Sequence, residues 1–222
     1  MSALAPSRDL VQRIVRETVF REMAKRPDLP PVPQLVVNSS ARHMHVSQEN
    51  LEILFGPGSK LEVHKWLYQE GQFASTATVT LIGPRRRIIP NLRILGPVRN
   101  LTQIELAITD AVQLGIDVPV KMSGDIAGTP GGFVMGPAGM LEMPEGIIRA
   151  ARHVHMSPED AAFYGVKHKD LMKLRVVSRD CTTVFDDLLV RVDPTFKLEV
   201  HIDTDEANAC NLEVAERVEL LR

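Results

Sequence analysis

From Gln34 onward, apolar and polar residues alternate over short runs rich in β-branched residues, closed by glycine, proline or asparagine. A period of two is the mark of a half-buried strand. It predicts strands at Leu35–Asn38, Val79–Ile82, Ile88–Leu95 and Thr102–Ile108, and again at Leu171–Val177, Thr183–Val192, Lys197–Ile202 and Val214–Leu220. Short helices interrupt them. Ser47 and Ser157 stand where an N-cap belongs, Pro158 takes the first-turn position, and the apolar turns that follow end at Gly56 and Gly165. The N-terminal stretch obeys a different period. Leu10, Val11, Ile14, Val15, Val19 and Phe20 recur at spacings of three and four, one apolar stripe on a helix that Ser7 can cap. Prolines at 27, 30, 31 and 33 then forbid its continuation.

Many short strands with a few capping helices predict a mainly β fold. The expected plan is two related small β-barrel domains, at 34–120 and 147–222, joined by a Gly-rich connection at 121–146. An amphipathic helix and Pro-rich linker at 1–33 precede them.

The relation between the halves rests on a repeat. Ala41-Arg42-His43-Met44-His45-Val46-Ser47 returns as Ala151-Arg152-His153-Val154-His155-Met156-Ser157. Alternate side chains of a strand share a face, so each His-x-His offers two imidazoles to a borderline metal such as zinc. One such pair is common on the wet face of a sheet; its duplication is what sets it apart. A later match extends the repeat, Glu105-Leu106-Ala107-Ile108-Thr109-Asp110-Ala111 against His201-Ile202-Asp203-Thr204-Asp205-Glu206-Ala207. Each half then offers three ligands: His43, His45 and Glu105, and His153, His155 and His201. Three protein ligands with an open position are the pattern of a catalytic metal. His64 and His168 fall outside it and read as surface residues.

The halves differ at Arg99. It stands six residues before Glu105, where the second half has Thr195. A guanidinium fork matches phosphate or carboxylate in a bidentate way, although a surface carboxylate could also occupy it. The connection Lys121–Gly132, with Gly136 and Gly139 after it, suggests backbone held close to something, an anion among the options. It is not a Walker loop, because no Gly-Lys-Ser/Thr follows.

Composition changes little. At 222 residues, 44% hydrophobic and 24% charged, the chain is ordinary for a globular protein. A net charge of −2 argues against a general grip on nucleic acid, and Arg85-Arg86-Arg87 reads as a solvated hairpin tip. No run suits a membrane span or a signal peptide. Cys181 and Cys210 have no framework spacing and read as reduced residues of a cytosolic protein.

Taken together, Ser-Ala-Arg-His-Met-His, Arg-Ile-Leu-Gly-Pro-Val-Arg with Thr-Gln-Ile-Glu, Ser-Gly-Asp-Ile-Ala-Gly-Thr-Pro-Gly, Ala-Arg-His-Val-His-Met-Ser and Glu-Val-His-Ile-Asp-Thr-Asp-Glu-Ala-Asn resemble the PduL-type phosphate propanoyltransferases of bacterial microcompartments. The resemblance runs from about Gln34 to Asn211; Val200, where a methionine is frequent, is one departure. It implies two β-barrel domains, two zinc ions held by the six ligands above, and reversible transfer of a short acyl group between coenzyme A and phosphate. Arg99 and Ser123 would hold phosphate, with Arg99 catalytic. Coenzyme A contacts would fall at Ser40, Lys65, Arg93, Leu95, His201 and Asn208. It also implies a cytoplasmic protein inside a microcompartment, with a role in propanediol degradation, addressed to shell or cargo proteins through residues 7–22. No nucleic-acid or membrane partner is expected, and self-association stays open.

Two rival readings use the same ligands. A dinuclear metallohydrolase would need a carboxylate base such as Asp125 or Asp203. A zinc-stapled scaffold would close each metal with four ligands and leave no arginine beside it.

Overall fold

A computed structural model describes residues 32–222 and, ahead of them, Ile14, Val15 and Thr18. The helix expected over 7–22 lies outside the described residues apart from those three, which are helical and exposed.

The unit Leu35–Arg222 is mainly β, with short helices and two curled half-barrel sheets. One sheet holds β1 (Val36–Ser40), β11 (His153–Met156), β12 (Leu171–Ser178), β13 (Thr183–Val192), β14 (Glu199–Asp203) and β15 (Ala215–Leu221), in the order β1-β14-β11-β13-β12-β15. The other holds β2 (His43–His45), β4 (Phe73–Ile82), β5 (Ile88–Gly96), β6 (Gln103–Glu105), β7 (Val120–Lys121), β8 (Gly132–Met135), β9 (Met140–Met143) and β10 (Ile147–Ala150). Their order is β7-β10-β6-β2-β5-β4-β8-β9, and β3 (Val63–Trp66) pairs with β4 at one side.

Sheet membership crosses the boundaries expected at 34 and 147. β1 leaves the first half to lie parallel to β14, with Asn38 opposite His201. β10 leaves the second half to lie parallel to β6 and β7, with Ile148 opposite Glu105. Each crossing strand runs directly into its own half's His-x-His strand.

Each sheet covers its own core. Met44, Leu92, Ile94, Ile104 and Ile147 are fully buried in one, and Val154, Met156, Leu174, Leu188 and Val200 in the other. Fully burying such a side chain is worth about 1.5–3 kcal/mol. This settles the direction of the histidines. With Met44 locked into one core and Val154 and Met156 into the other, pleating turns the flanking imidazoles to the opposite face.

Helices follow the site strands in both halves. α1 (Gln48–Phe55) and α3 (Pro158–Tyr164) begin where expected, and the hydroxyls of Ser47 and Ser157 accept from the amides of Asn50 and Asp160. Two more helices follow the third-ligand strands, the first where a strand was expected to run on to Ile108. β6 stops at Glu105 and α2 (Ile108–Leu114) begins; β14 stops at Asp203 and α4 (Thr204–Ala209) begins. Asp203 and Glu206 form a reciprocal capping box on α4. The N-cap of α2 is Ala107, which has no side-chain cap bond; the carboxylate of Asp205 in α4 instead accepts from the Thr109 amide at 3.0 Å and its hydroxyl at 2.6 Å.

Candidate metal centre and cleft

The strand registers place the third ligand of each half. In β2 and β6 His43 lies opposite Glu105, and in β11 and β14 His153 lies opposite His201. Two groups of ligand atoms result, His43 with His45 and Glu105, and His153 with His155 and His201, each with its atoms within 4.8 Å of one another. In the first, His43 Nε2 is 3.2 Å from His45 Nε2 and 3.5 Å from a Glu105 oxygen. In the second, the rings of His153 and His201 stack at 4.9 Å and that of His155 lies 4.8 Å from His201.

Both groups carry the outer contacts that a ligating histidine needs. The Nδ1 of His43 is 2.8 Å from the Ala41 carbonyl, and that of His153 is 2.9 Å from the Ala151 carbonyl. This leaves Nε2 of each ring turned inward. His155 has no hydrogen-bond partner on either buried nitrogen, nor has His45 on Nδ1. Buried polar atoms are seldom left unmatched. A set of inward imidazoles, one carboxylate and unmatched nitrogens fits a metal with nitrogen and oxygen ligands, zinc included.

The electrostatics agree. Burial, then His43 and Arg99, pushes His45 down to about 2. Burial and the two neighbouring imidazoles push His155 down to about 2, and burial and His201 push His153 to about 4. These rings are neutral at working pH, the form that binds metal. Burial works against ionising Glu105, but His43, a hydrogen bond from Ser123, His153 and Arg99 outweigh it and hold the carboxyl below its ordinary value.

One ligand of the first group, Glu105, and two of the second, His153 and His201, line one opening. This small open cleft is lined by Ser40, Glu105, Ala150, Ala151, His153, His201 and Asp203. Arg99, whose amide donates to the Val46 carbonyl at 2.9 Å, is in electrostatic reach of Glu105, His45 and His155.

Other expected site residues divide. Ser123 accepts from Gln103 Nε2 at 3.0 Å, and Ser40 Oγ is 3.3 Å from His201 Nδ1. The Leu95 backbone lies near His45, and Arg93, opposite His43, donates to the Ser75 carbonyl. Lys65 on β3 and Asn208 on α4 are exposed, with no contact to either ligand group among the described residues. His64 and His168 are exposed, as expected, although His168 Nδ1 accepts from the Val192 amide. The arginine tip is more than a solvated turn, since Arg85 donates to carbonyls at the end of α2.

Sequence reasoning missed two residues. Arg191 lies opposite His155 in β13 and is in electrostatic reach of Glu105, Arg99 and His153. Its guanidinium also lies over Phe196, whose ring stacks on His155 at 4.1 Å. Nothing in its sequence neighbourhood marks it; only the parallel β11–β13 pairing does. Gln103 is the second. It donates to Glu105 at 2.7 Å and accepts from the Gly124 amide at 2.7 Å, where φ is +99°. The Gly-rich connection thus turns two of its amides, those of Gly124 and Gly128, to the side chains of Gln103 and Glu145.

The rivals fare poorly against this geometry. Asp125 pairs with Lys121, and Asp203 caps α4 and binds Arg149. Neither is a free base. A scaffold would want four ligands in each group, whereas each has three, with Arg99 beside them.

Comparison with known proteins agrees with the sequence motifs. The family model for phosphate propanoyltransferase matches residues 36–213. A phosphate propanoyltransferase of Planctopirus limnophila is 52% identical, over 97% of this chain and 92% of that protein. One of Thermotoga maritima is 50% identical over 95% and 96%, and one of Salmonella typhimurium 44% identical over 91% of each. The chain is therefore an acyltransferase and belongs to the phosphate propanoyltransferase family.

Proposed function

We propose that the chain transfers a short acyl group, propanoyl or acetyl, reversibly between coenzyme A and phosphate, at a site that holds two zinc ions. The observation that carries this reading is the pair of three-ligand groups, joined at one cleft by Glu105, His153 and His201, with Arg99 and Arg191 in electrostatic reach of Glu105.

When bound, zinc at these ligands supplies a Lewis acid for the thioester carbonyl and a soft acceptor for the departing thiolate. The remaining work falls to the chain. Arg99 and Arg191 hold phosphate dianion against the electrophilic thioester carbonyl, and Ser123 adds a hydroxyl to the same end of the site. A phosphate oxygen attacks the carbonyl carbon, the C–O bond forms, the C–S bond breaks, and coenzyme A leaves as thiolate. The arginines offset the negative charge that accumulates between them. Neither cysteine is needed for a covalent intermediate. Cys210 is fully buried, and burial pushes its thiol up. Ser40, Lys65, Arg93, Leu95, His201 and Asn208 are the proposed contacts for coenzyme A.

Two related halves, 34–120 and 147–222, follow from the same reading. The registers His43–Glu105 and His153–His201 support an internal repeat, as do the crossing strands β1 and β10. Residues 7–22 are proposed to address the protein to microcompartment shell or cargo proteins. Among the described residues no helix is long and apolar enough to cross a membrane.

The test is thiol release from propanoyl- and acetyl-coenzyme A, with and without phosphate, by protein as isolated, metal-stripped and zinc-restored. Phosphate-dependent release that is lost on stripping and regained with zinc is the expected result. Release indifferent to phosphate would make the chain a hydrolase.

A further inference from the structure

The registers align more than the ligands. Two residues before Glu105 stands Gln103, opposite His45; two residues before His201 stands Glu199, opposite His155. Gln103 is a neutral partner to a charged ligand, which it touches at 2.7 Å. Glu199 is a charged partner to a neutral ligand, with Oε2 3.1 Å from His201 Nε2. Each centre thus has one carboxylate and one neutral group at the same two strand positions, in exchanged order.

We propose that Glu199 is the positioning residue of the second centre: it fixes the His201 ring through Nε2 and supplies from outside the negative charge that Glu105 supplies from inside the first. The inference deepens the two-zinc reading and rests on it. Glu199 stands outside the group whose ligand atoms meet, so it is not a fourth ligand there. Its Oε2 lies 3.1 Å from Nε2, and no other group among the described residues is matched to that nitrogen. The other ring nitrogen, Nδ1, lies 3.3 Å from Ser40 Oγ, and Ser40 and His201 both line the cleft, so Nδ1 is the nitrogen assigned to the ion in this proposal. Glu199 is itself nearly inaccessible, at 2%, and is held by Gln69, which donates to its Oε2 at 2.7 Å. Gln69 in turn donates to the Lys197 carbonyl at 2.9 Å and accepts from the Lys197 amide at 3.1 Å. It belongs to the β3–β4 connection of the first half, so the far half braces the ligand. A carboxylate on the outer nitrogen of a ligating imidazole orients the ring and strengthens it as a donor, and removing such a partner costs about 10–100-fold in metal affinity.

The experiment is zinc titration against a chelator series, with elemental analysis after dialysis, on full-length wild type, Glu199→Gln, Glu199→Asp and Gln69→Met. Wild type should retain two zinc ions per chain. Glu199→Gln should retain one tightly and release the other about 10–100-fold more readily. Glu199→Asp should recover part of the loss, and Gln69→Met should show a smaller loss confined to the same ion. Far-UV circular dichroism establishes that each variant is folded, and Gln69→Met carries the test if Glu199→Gln is not. Two ions bound as tightly in folded Glu199→Gln as in wild type would overturn this proposal alone. Equal weakening of both ions would also overturn it. Wild type that binds no zinc would sink the two-zinc reading with it.

Discussion

At the scale of single residues, the site sets ionised arginines against neutral imidazoles. Arg99 and Arg191 reach both ligand groups electrostatically without being ligands themselves. Replacing either with alanine should cost about 3–4 kcal/mol of transition-state stabilisation, two to three orders of magnitude in rate. Zinc content should stay at the wild-type level in both variants. A fully active Arg191→Ala variant would remove that residue from the phosphate site, and a zinc-free one would recast it as structural. The imidazoles make a second prediction. His45, His153 and His155 are held well below the ordinary histidine value of 6.5. Below that value the unfolded chain takes up protons that the folded chain refuses, so the stability present above about pH 6.5 is lost as the pH falls towards 4. Metal-stripped protein should therefore show a falling Tm in calorimetric scans between pH 7 and pH 5. A Tm that holds or rises over that range contradicts the assignment.

At the scale of elements, the two sheets are pinned by a polar seam. Arg149 in β10 binds Asp203 at one end of its guanidinium and Glu206 at 2.7 Å at the other, and Arg152 also reaches Glu206 at 2.8 Å. Arg149→Ala would leave Asp203 without its cation in a site where both carboxylates are nearly buried. The expected loss is about 3 kcal/mol, read as a lower urea midpoint at unchanged slope. Arg42 plays the same part in the first half, binding Asp110 at 2.7 Å. The arginine of each Ala-Arg-His motif thus ties its strand to the helix that follows the third ligand. This seam marks the limit of what the sequence could reveal. The site was legible because His43, His45, His153 and His155 recur as a local pattern, and Glu105 and His201 because the residues after them match. α3 was legible for the same reason, since Ser157, Pro158 and Gly165 are local signals. α2 was not. Its cap comes from Asp205, far along the chain, and a local reading of Ala107 sees only a continuing apolar run. Arg191 was invisible on the same ground, because its neighbour His155 is set by strand pairing rather than by spacing.

At the scale of the whole molecule, the proposed site residues all lie after residue 39. Deleting residues 1–22 should leave turnover per folded molecule close to the full-length value and abolish co-fractionation with compartment shells. Loss of most activity on truncation, in protein shown by circular dichroism to be folded, would place the segment within the catalytic machinery.

The pairing of β1 with β14 bears on how the chain is made. Val36 must find Glu199 and Ser40 must find Asp203, so most of the chain lies between partners. On the ribosome the earliest strand emerges with its partner still unsynthesised, and it waits as an open edge until almost the last residue is added. Contacts of such long sequence separation form late and slowly. Chains that stop short of Glu199 should therefore be the aggregation-prone ones, with an unpaired β1 edge and His43 and His45 beside an unfinished second centre. Synthesis arrested just before and just after Asp203 should give insoluble and soluble nascent chains respectively, once enough linker clears the tunnel.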